Sequence, residues 1–216
     1  MADLLREIDE ELQRERMLAL WSKYKTLVMT LVLGLVVGTA SYSAWQEHTA
    51  TAKIKRSVAL YDMLASKTGS ERDKLESLQG FMGEFPGKGQ TIMARFVAAD
   101  IHVRAGALPQ AVAMLESVAL DKTVSDLLRQ YAGVLAIQVQ LDTGDAAELR
   151  KKLEPFAAEG RPWRYAALAM QGMLLAKGGD LAAAEKIFAA LADNPAAPGS
   201  LGEYASDLSN YYATKR

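Results

Sequence analysis

The chain has 216 residues and a formal net charge of −1, with 25 Lys and Arg against 26 Asp and Glu. Charges of both signs are interspersed, without the basic stripe of a nucleic-acid binder. Cysteine is absent, which removes disulfides, thiolate catalysis and cysteine-based zinc sites together. Helix formers dominate, Ala above all, and no run alternates β-branched and aromatic residues, so the composition predicts an all-α fold.

Residues 1–25 read as an amphipathic leader. Leu4, Ile8 and Leu12 recur every four positions, while Arg6, Asp9, Glu10, Gln13 and Arg14 occupy the other face. Such a helix either extends the next segment or docks a partner. Residues 26–46 form a run of 21 residues without a charge. A helix that long covers about 30 Å of hydrocarbon. Trp21 and Tyr24 stand before it, and Tyr42 and Trp45 at its far edge, where amphipathic rings favour headgroup layers. The expectation is one uncleaved transmembrane helix, with the leader cytosolic. Gly34 and Gly38 make a GxxxG pair, and are candidates for packing against another membrane helix.

Residues 47–90 read as a first helical hairpin and linker. One helix runs on to about residue 66 and stops before Gly69. Ser70 and Asp73 resemble a capping pair for a second helix over 71–85, whose apolar positions include Leu75, Leu78, Phe81 and Phe85. Pro86 and Gly87 then break the chain. The stretch GEFPGKGQT is not a phosphate loop: Gly89 follows Lys88 where a Ser or Thr is needed, and no strand precedes it.

Residues 91–216 repeat themselves. Three stretches each contain a helix, a turn with Gly and a second helix, and the turn glycines are Gly106, Gly144 and Gly179. Their spacing is close to the period of about 34 residues of tetratricopeptide repeats. The third unit matches best, with Gly172, Ala184, Phe188 and Pro195 at the small, small, large and closing positions. The first unit keeps Ala99, Ala111 and Leu115. The second has Leu149 where a small residue belongs, and the Trp and Tyr of the consensus first helix are missing throughout. A last helix over 200–213 caps the array. The predicted fold is therefore all-α, a single N-terminal transmembrane helix followed by a tetratricopeptide-like helical-hairpin array, an α-solenoid.

The leader LREIDEELQRERMLALWSKYK and the later stretch LEPFAAEGRPWRYAALAMQGMLLAKGGDLAAAEKIF carry a resemblance that covers nearly the whole chain. Together they resemble the YfgM-like family of ancillary SecYEG translocon subunits, in its alphaproteobacterial branch. The resemblance implies a single-pass protein of the bacterial inner membrane, N-terminus cytosolic and repeat domain periplasmic. Its partners would be a translocon-like membrane protein and a periplasmic chaperone or client. It transfers no catalytic residue.

The residues offer no chemistry of their own. His48 and His102 lie far apart, neither beside a carboxylate at metal-ligand spacing, and no Ser sits in a nucleophile elbow. We expect no enzyme activity, no catalytic or metal residues, no cofactor, no small-molecule substrate and no nucleic acid. Repeat arrays instead present a groove lined by their first helices. Hairpin register puts Met93, Phe96, Asp100 and Arg104 on that side, then Tyr131, Val134 and Gln138, then Met173 and Lys177. Mixed apolar and single polar residues suit an extended or helical peptide. The functional expectation is an anchored interaction scaffold that helps periplasmic chaperones receive emerging envelope proteins. The alternative is an anchored scaffold facing the cytosol in an unrelated membrane assembly.

Overall fold

The computed structural model describes the backbone of residues 2–65, 69–87 and 89–215; among residues 2–36 it describes side chains only at 23, 25, 30, 34 and 35. Nine helices follow one another among the described residues: α1 (Ala2–Ala65), α2 (Glu71–Glu84), α3 (Gly89–Arg104), α4 (Leu108–Ala119), α5 (Asp126–Val139), α6 (Ala146–Ala157), α7 (Arg164–Lys177), α8 (Leu181–Ala192) and α9 (Gly199–Ala213). The chain divides into two compact units, residues 1–58 and 59–216.

The first unit is the bulk of α1, a helix without a break. Among the described residues no helix is long and apolar enough to cross a membrane. That finding corrects the expectation of a transmembrane helix over 26–46, and with it the single-pass inner-membrane location with a periplasmic C-terminal domain. The side chains that carried the expectation, at 27–29, 31–33 and 36, lie outside the described residues, as do Leu4, Ile8, Leu12, Trp21 and Tyr24. What is described of the run is short of apolar bulk. Leu35 and Val37 are followed by Gly38, Thr39, Ala40, Ser41, Tyr42 and Ser43, and small and hydroxyl side chains gain little from hydrocarbon. Gly34 and Gly38 sit on α1 with open space where a Cβ would point.

The second unit begins with the last turns of α1. Leu60 is buried there with Leu78 and Phe81 of α2 and Ala94, Ala98 and Ile101 of α3. The start of α2 is fixed locally: Asp73 N–H donates to Ser70 Oγ at 3.3 Å, and Ser70 N–H donates to the Asp73 carboxylate at 2.7 Å. This capping box satisfies two otherwise orphaned donors. The bond from the Ser70 backbone holds the Asp73 carboxyl below the usual carboxylate range.

From α3 onward each helix packs on the next in sequence, and α9 covers the free side of α8. Gly106 and Gly179 close their turns with φ of 73° and 89°, a left-handed conformation that costs a residue with a Cβ about 1 kcal/mol or more. Gly144 has no positive φ, and its role is room. A Cβ there would stand 2.9 Å from Leu149 Cδ1 and 3.0 Å from the Gln140 carbonyl. Leu149 is the bulky residue in the second hairpin's small position, so the space it needs is found at the turn.

The third hairpin shows the packing rule most clearly. Phe188 of α8 is fully buried, and a Cβ on Gly172 of α7 would lie 2.8 Å from two of its ring carbons. Tyr212 of α9 stacks on the same ring, with centroids 5.8 Å apart. At the corresponding positions the second hairpin has Ile137 and Leu153, both buried. Its helices α5 and α6 accordingly approach each other less closely than α3 and α4 or α7 and α8. Pro155 inside α6 also removes one N–H from that helix's ladder.

Two glycine substitutions test this reading. Gly172→Ala should lower stability by about 1–3 kcal/mol, because the core around Phe188 has no slack. Gly80→Ala, on α2 where a Cβ meets nothing, should raise it by about 0.5–1 kcal/mol. Urea unfolding followed by circular dichroism measures both. Equal midpoints for the two variants would show that Phe188 yields freely.

Candidate functional site

The first helices of the three hairpins bring aromatic rings into contact across repeat boundaries. Phe96 lies on α3, Tyr131 on α5, and Trp163 is the residue that caps the start of α7. The Phe96 and Tyr131 ring centroids are 5.7 Å apart, and those of Tyr131 and Trp163 are 4.8 Å apart, with tilts of 40° and 32°. These separations fall in the range of favourable aromatic contact. All three are half-buried. The Trp163 indole N–H donates to the Leu127 carbonyl at 3.4 Å, which holds the ring against the first turn of α5.

Apolar residues left in water surround this column. Met93, three residues before Phe96, is 53% exposed, and Leu127 and Leu128 before Tyr131 are 54% and 37% exposed. Beside them Arg95 donates to Asp121 at 3.3 Å, with both side chains largely covered. Asp121 also accepts from the Thr123 hydroxyl and N–H at 2.6 and 3.0 Å. The Thr123 bonds, and then Arg95, hold its carboxyl below the usual range. The column thus runs along helices α3, α5 and α7, with a fixed ion pair at its flank.

The other residues expected in the groove go to separate places. Arg104 donates to Asp100 at 3.1 Å on its own helix and to Glu71 of α2 at 2.5 Å. Asp100 and Arg104 therefore tie α3 to α2, and Arg104 borders a small hollow with Met63, Lys74, Leu78, Val97 and Ile101. Val134 is buried in the cluster shared by α5, α6 and α7. Met173 packs against the cluster around Phe188. Gln138 is exposed on α5. The Lys177 ammonium at the end of α7 donates to three backbone carbonyls of the α5–α6 turn, those of Leu141, Asp142 and Gly144, at 2.9, 2.8 and 3.2 Å. It is a clamp between repeats.

Trp163, Leu127 and Leu128 are members of this surface that register within the helices does not reveal. Trp163 sits in the turn before α7, outside the helical period. A second hollow, of about 590 Å³, opens between α4 and the α5–α6 turn, with Leu108, Pro109, Val112 and Ala113 on one side and Gln140 and Thr143 on the other. Among the described residues no group of three or more His, Cys, Asp or Glu is placed to hold a metal ion. His48 is exposed on α1, and His102 lies in the last turn of α3.

Two measurements follow from these contacts. Lys177→Met strips three charge-assisted bonds from a turn in contact with solvent and should cost about 1 kcal/mol, read as a lower urea midpoint; an unchanged midpoint would mean water replaces the ammonium without loss. The Asp121 contribution has a defined sign with pH. Its folded pKa is depressed, so its stabilisation is present above the unfolded value of about 4 and is lost as pH falls through the folded value. Asp121→Asn should flatten that part of the stability profile, as followed by thermal melts between pH 2 and 6.

No curated protein and no solved structure matches the chain. A family model described as a tetratricopeptide repeat-like domain matches residues 19–199. That span takes in most of α1 and every helix through α8. Domains of this kind are typically non-catalytic scaffolds for protein partners. With helical hairpins in series, left-handed glycines at two of the three turns and a capping helix, the chain belongs to the tetratricopeptide repeat-like domain family.

Proposed function

We propose that this protein is a scaffold whose first-helix face takes a short segment of a partner polypeptide along the column of Phe96, Tyr131 and Trp163. The column is the observation that carries this reading. Its rings are already packed against one another and held, so a partner side chain meets a surface whose ordering cost is largely met beforehand. Exposed Met93, Leu127 and Leu128 add adaptable apolar area around rigid rings. The Arg95–Asp121 pair at the flank offers polar atoms for a peptide backbone. A peptide fits this long, shallow, mainly apolar strip better than a metabolite, which needs a deep enclosing pocket.

The resemblance of the leader and of the third repeat to YfgM-like proteins supports a narrower partner class. On that reading the bound segment belongs to protein export: a translocon subunit, or a chaperone that receives emerging chains. The phrases that carry it are LREIDEELQRERMLALWSKYK and LEPFAAEGRPWRYAALAMQGMLLAKGGDLAAAEKIF.

A photo-crosslinking residue in place of Leu127, with capture from cells and mass spectrometry, tests both levels. The expected result is a discrete set of protein adducts that shrinks at least about tenfold when Tyr131→Ala is added. Export components among the adducts would support the narrower reading, and other proteins would leave only the scaffold. Adducts unaffected by Tyr131→Ala would move the binding surface off the column.

A further inference from the structure

The α5 helix has a second face. Gly133, Ile137 and Gln140 recur at the helical spacing on the side opposite Tyr131. With Glu116 they border two hollows, of about 590 and 220 Å³, and Gln140 and Glu116 belong to both. The two hollows are therefore one trough. One wall is α4, through Pro109, Val112 and Glu116. The other wall, at the smaller hollow, is α6, through Lys152 and Phe156. Each set is spaced three or four residues apart, so the trough runs along the helices rather than across them. Glu116 and Lys152 stand on opposite walls, both exposed. Among the described residues neither makes an ion pair.

We propose that the trough takes an amphipathic α-helix of a partner protein, with a basic residue on the flank toward Glu116 and an acidic residue on the flank toward Lys152. The walls and floor are helices, whose N–H and C=O groups are spent on their own ladders. An extended peptide would find few backbone partners there, whereas a helix satisfies its own backbone and asks only for apolar surface. Val112, Ala113 and Phe156 supply that surface. The walls of opposite sign set the flanks. A helix with two flanks of like charge gains at one wall and loses at the other. The length of α4, about 18 Å, suits a partner of about three turns. Tyr131 lies on the other face of α5, so this site does not rest on the reading of the aromatic column.

Fluorescence anisotropy of dye-labelled synthetic helices against the full chain decides this. The probes share one leucine stripe. One has a Lys flank and a Glu flank, one has two Lys flanks, and one has two Glu flanks. The mixed helix should bind the wild-type chain below about 100 μM, and at least about threefold tighter than either of the others. Glu116→Lys should turn the preference to the doubly acidic helix, and Lys152→Glu to the doubly basic one, each by about tenfold. The double variant Glu116→Lys/Lys152→Glu should prefer the mixed helix again, bound in the reverse direction. Comparing each probe with itself across the variants cancels differences in probe helicity. Circular dichroism should show equal helicity for all variants, because both residues are exposed. Tyr131→Ala should leave every preference unchanged. A mixed helix that fails to bind at about 500 μM overturns the proposal, and so do preferences that the reversals do not move. Binding lost in Tyr131→Ala also overturns it, by placing the helix on the column, and leaves the reading of the column standing.

Discussion

How near two helices can come governs the repeat array. In the third hairpin the backbone at Gly172 has no Cβ, and the Phe188 ring fills that space. The ring in turn gives Tyr212 a surface to stack on, so the capping helix depends on a missing methyl group two helices away. Burial of the Tyr212 ring pushes its phenol up from the ordinary tyrosine value. Where the small residue is lost, as at Ile137 and Leu149, the helices stand further apart, and the larger side chains of Ile137, Leu149 and Leu153 fill the space between them. The second hairpin is then held partly by its neighbours. Val134 and Ile137 share a cluster with Ala167, Met170 and Leu174 of α7, and Lys177 grips the turn.

Much of this was legible in the residues. The spacing of Gly106, Gly144 and Gly179 located the three turns, because helical hairpins of fixed length put their breaks at fixed intervals. Ser70 and Asp73 announced the start of α2, since a capping box is a local device. Gly172 with Phe188 marked the close crossing for the same reason, the volumes being complementary within one unit. Two features escaped. Trp163 stands in a turn, and its partner Tyr131 is on another hairpin, so no helical period links them. The carbonyls that bind Lys177 belong to the backbone and carry no residue-type signature. A lysine at the end of a helix looks like a solvated charge until its acceptors are placed around it.

The apolar run of α1 shows a different limit. Hydropathy counts residues along the chain without regard to what covers them, and from that count residues 26–46 were expected to span a bilayer. Among the described residues no helix meets that requirement, and the polar side chains from Thr39 to Ser43 show where the apolar character ends. The same helix supplies Leu60 to the core of the second unit, a role set by which face meets α2 and α3.

The grip of Lys177 fixes a length. Its three acceptors lie within the short turn between α5 and α6, and one ammonium has three protons to give. Adding a residue to that turn would carry at least one carbonyl out of reach, whereas in the loop from Pro195 to Pro198 the described side-chain bond is a local one, from the Ala196 N–H to Asn194 Oδ1. The turn after α5 therefore acts as a ruler for the array. Among relatives of this chain, insertions should collect before α9 and be scarce between Leu141 and Gly144.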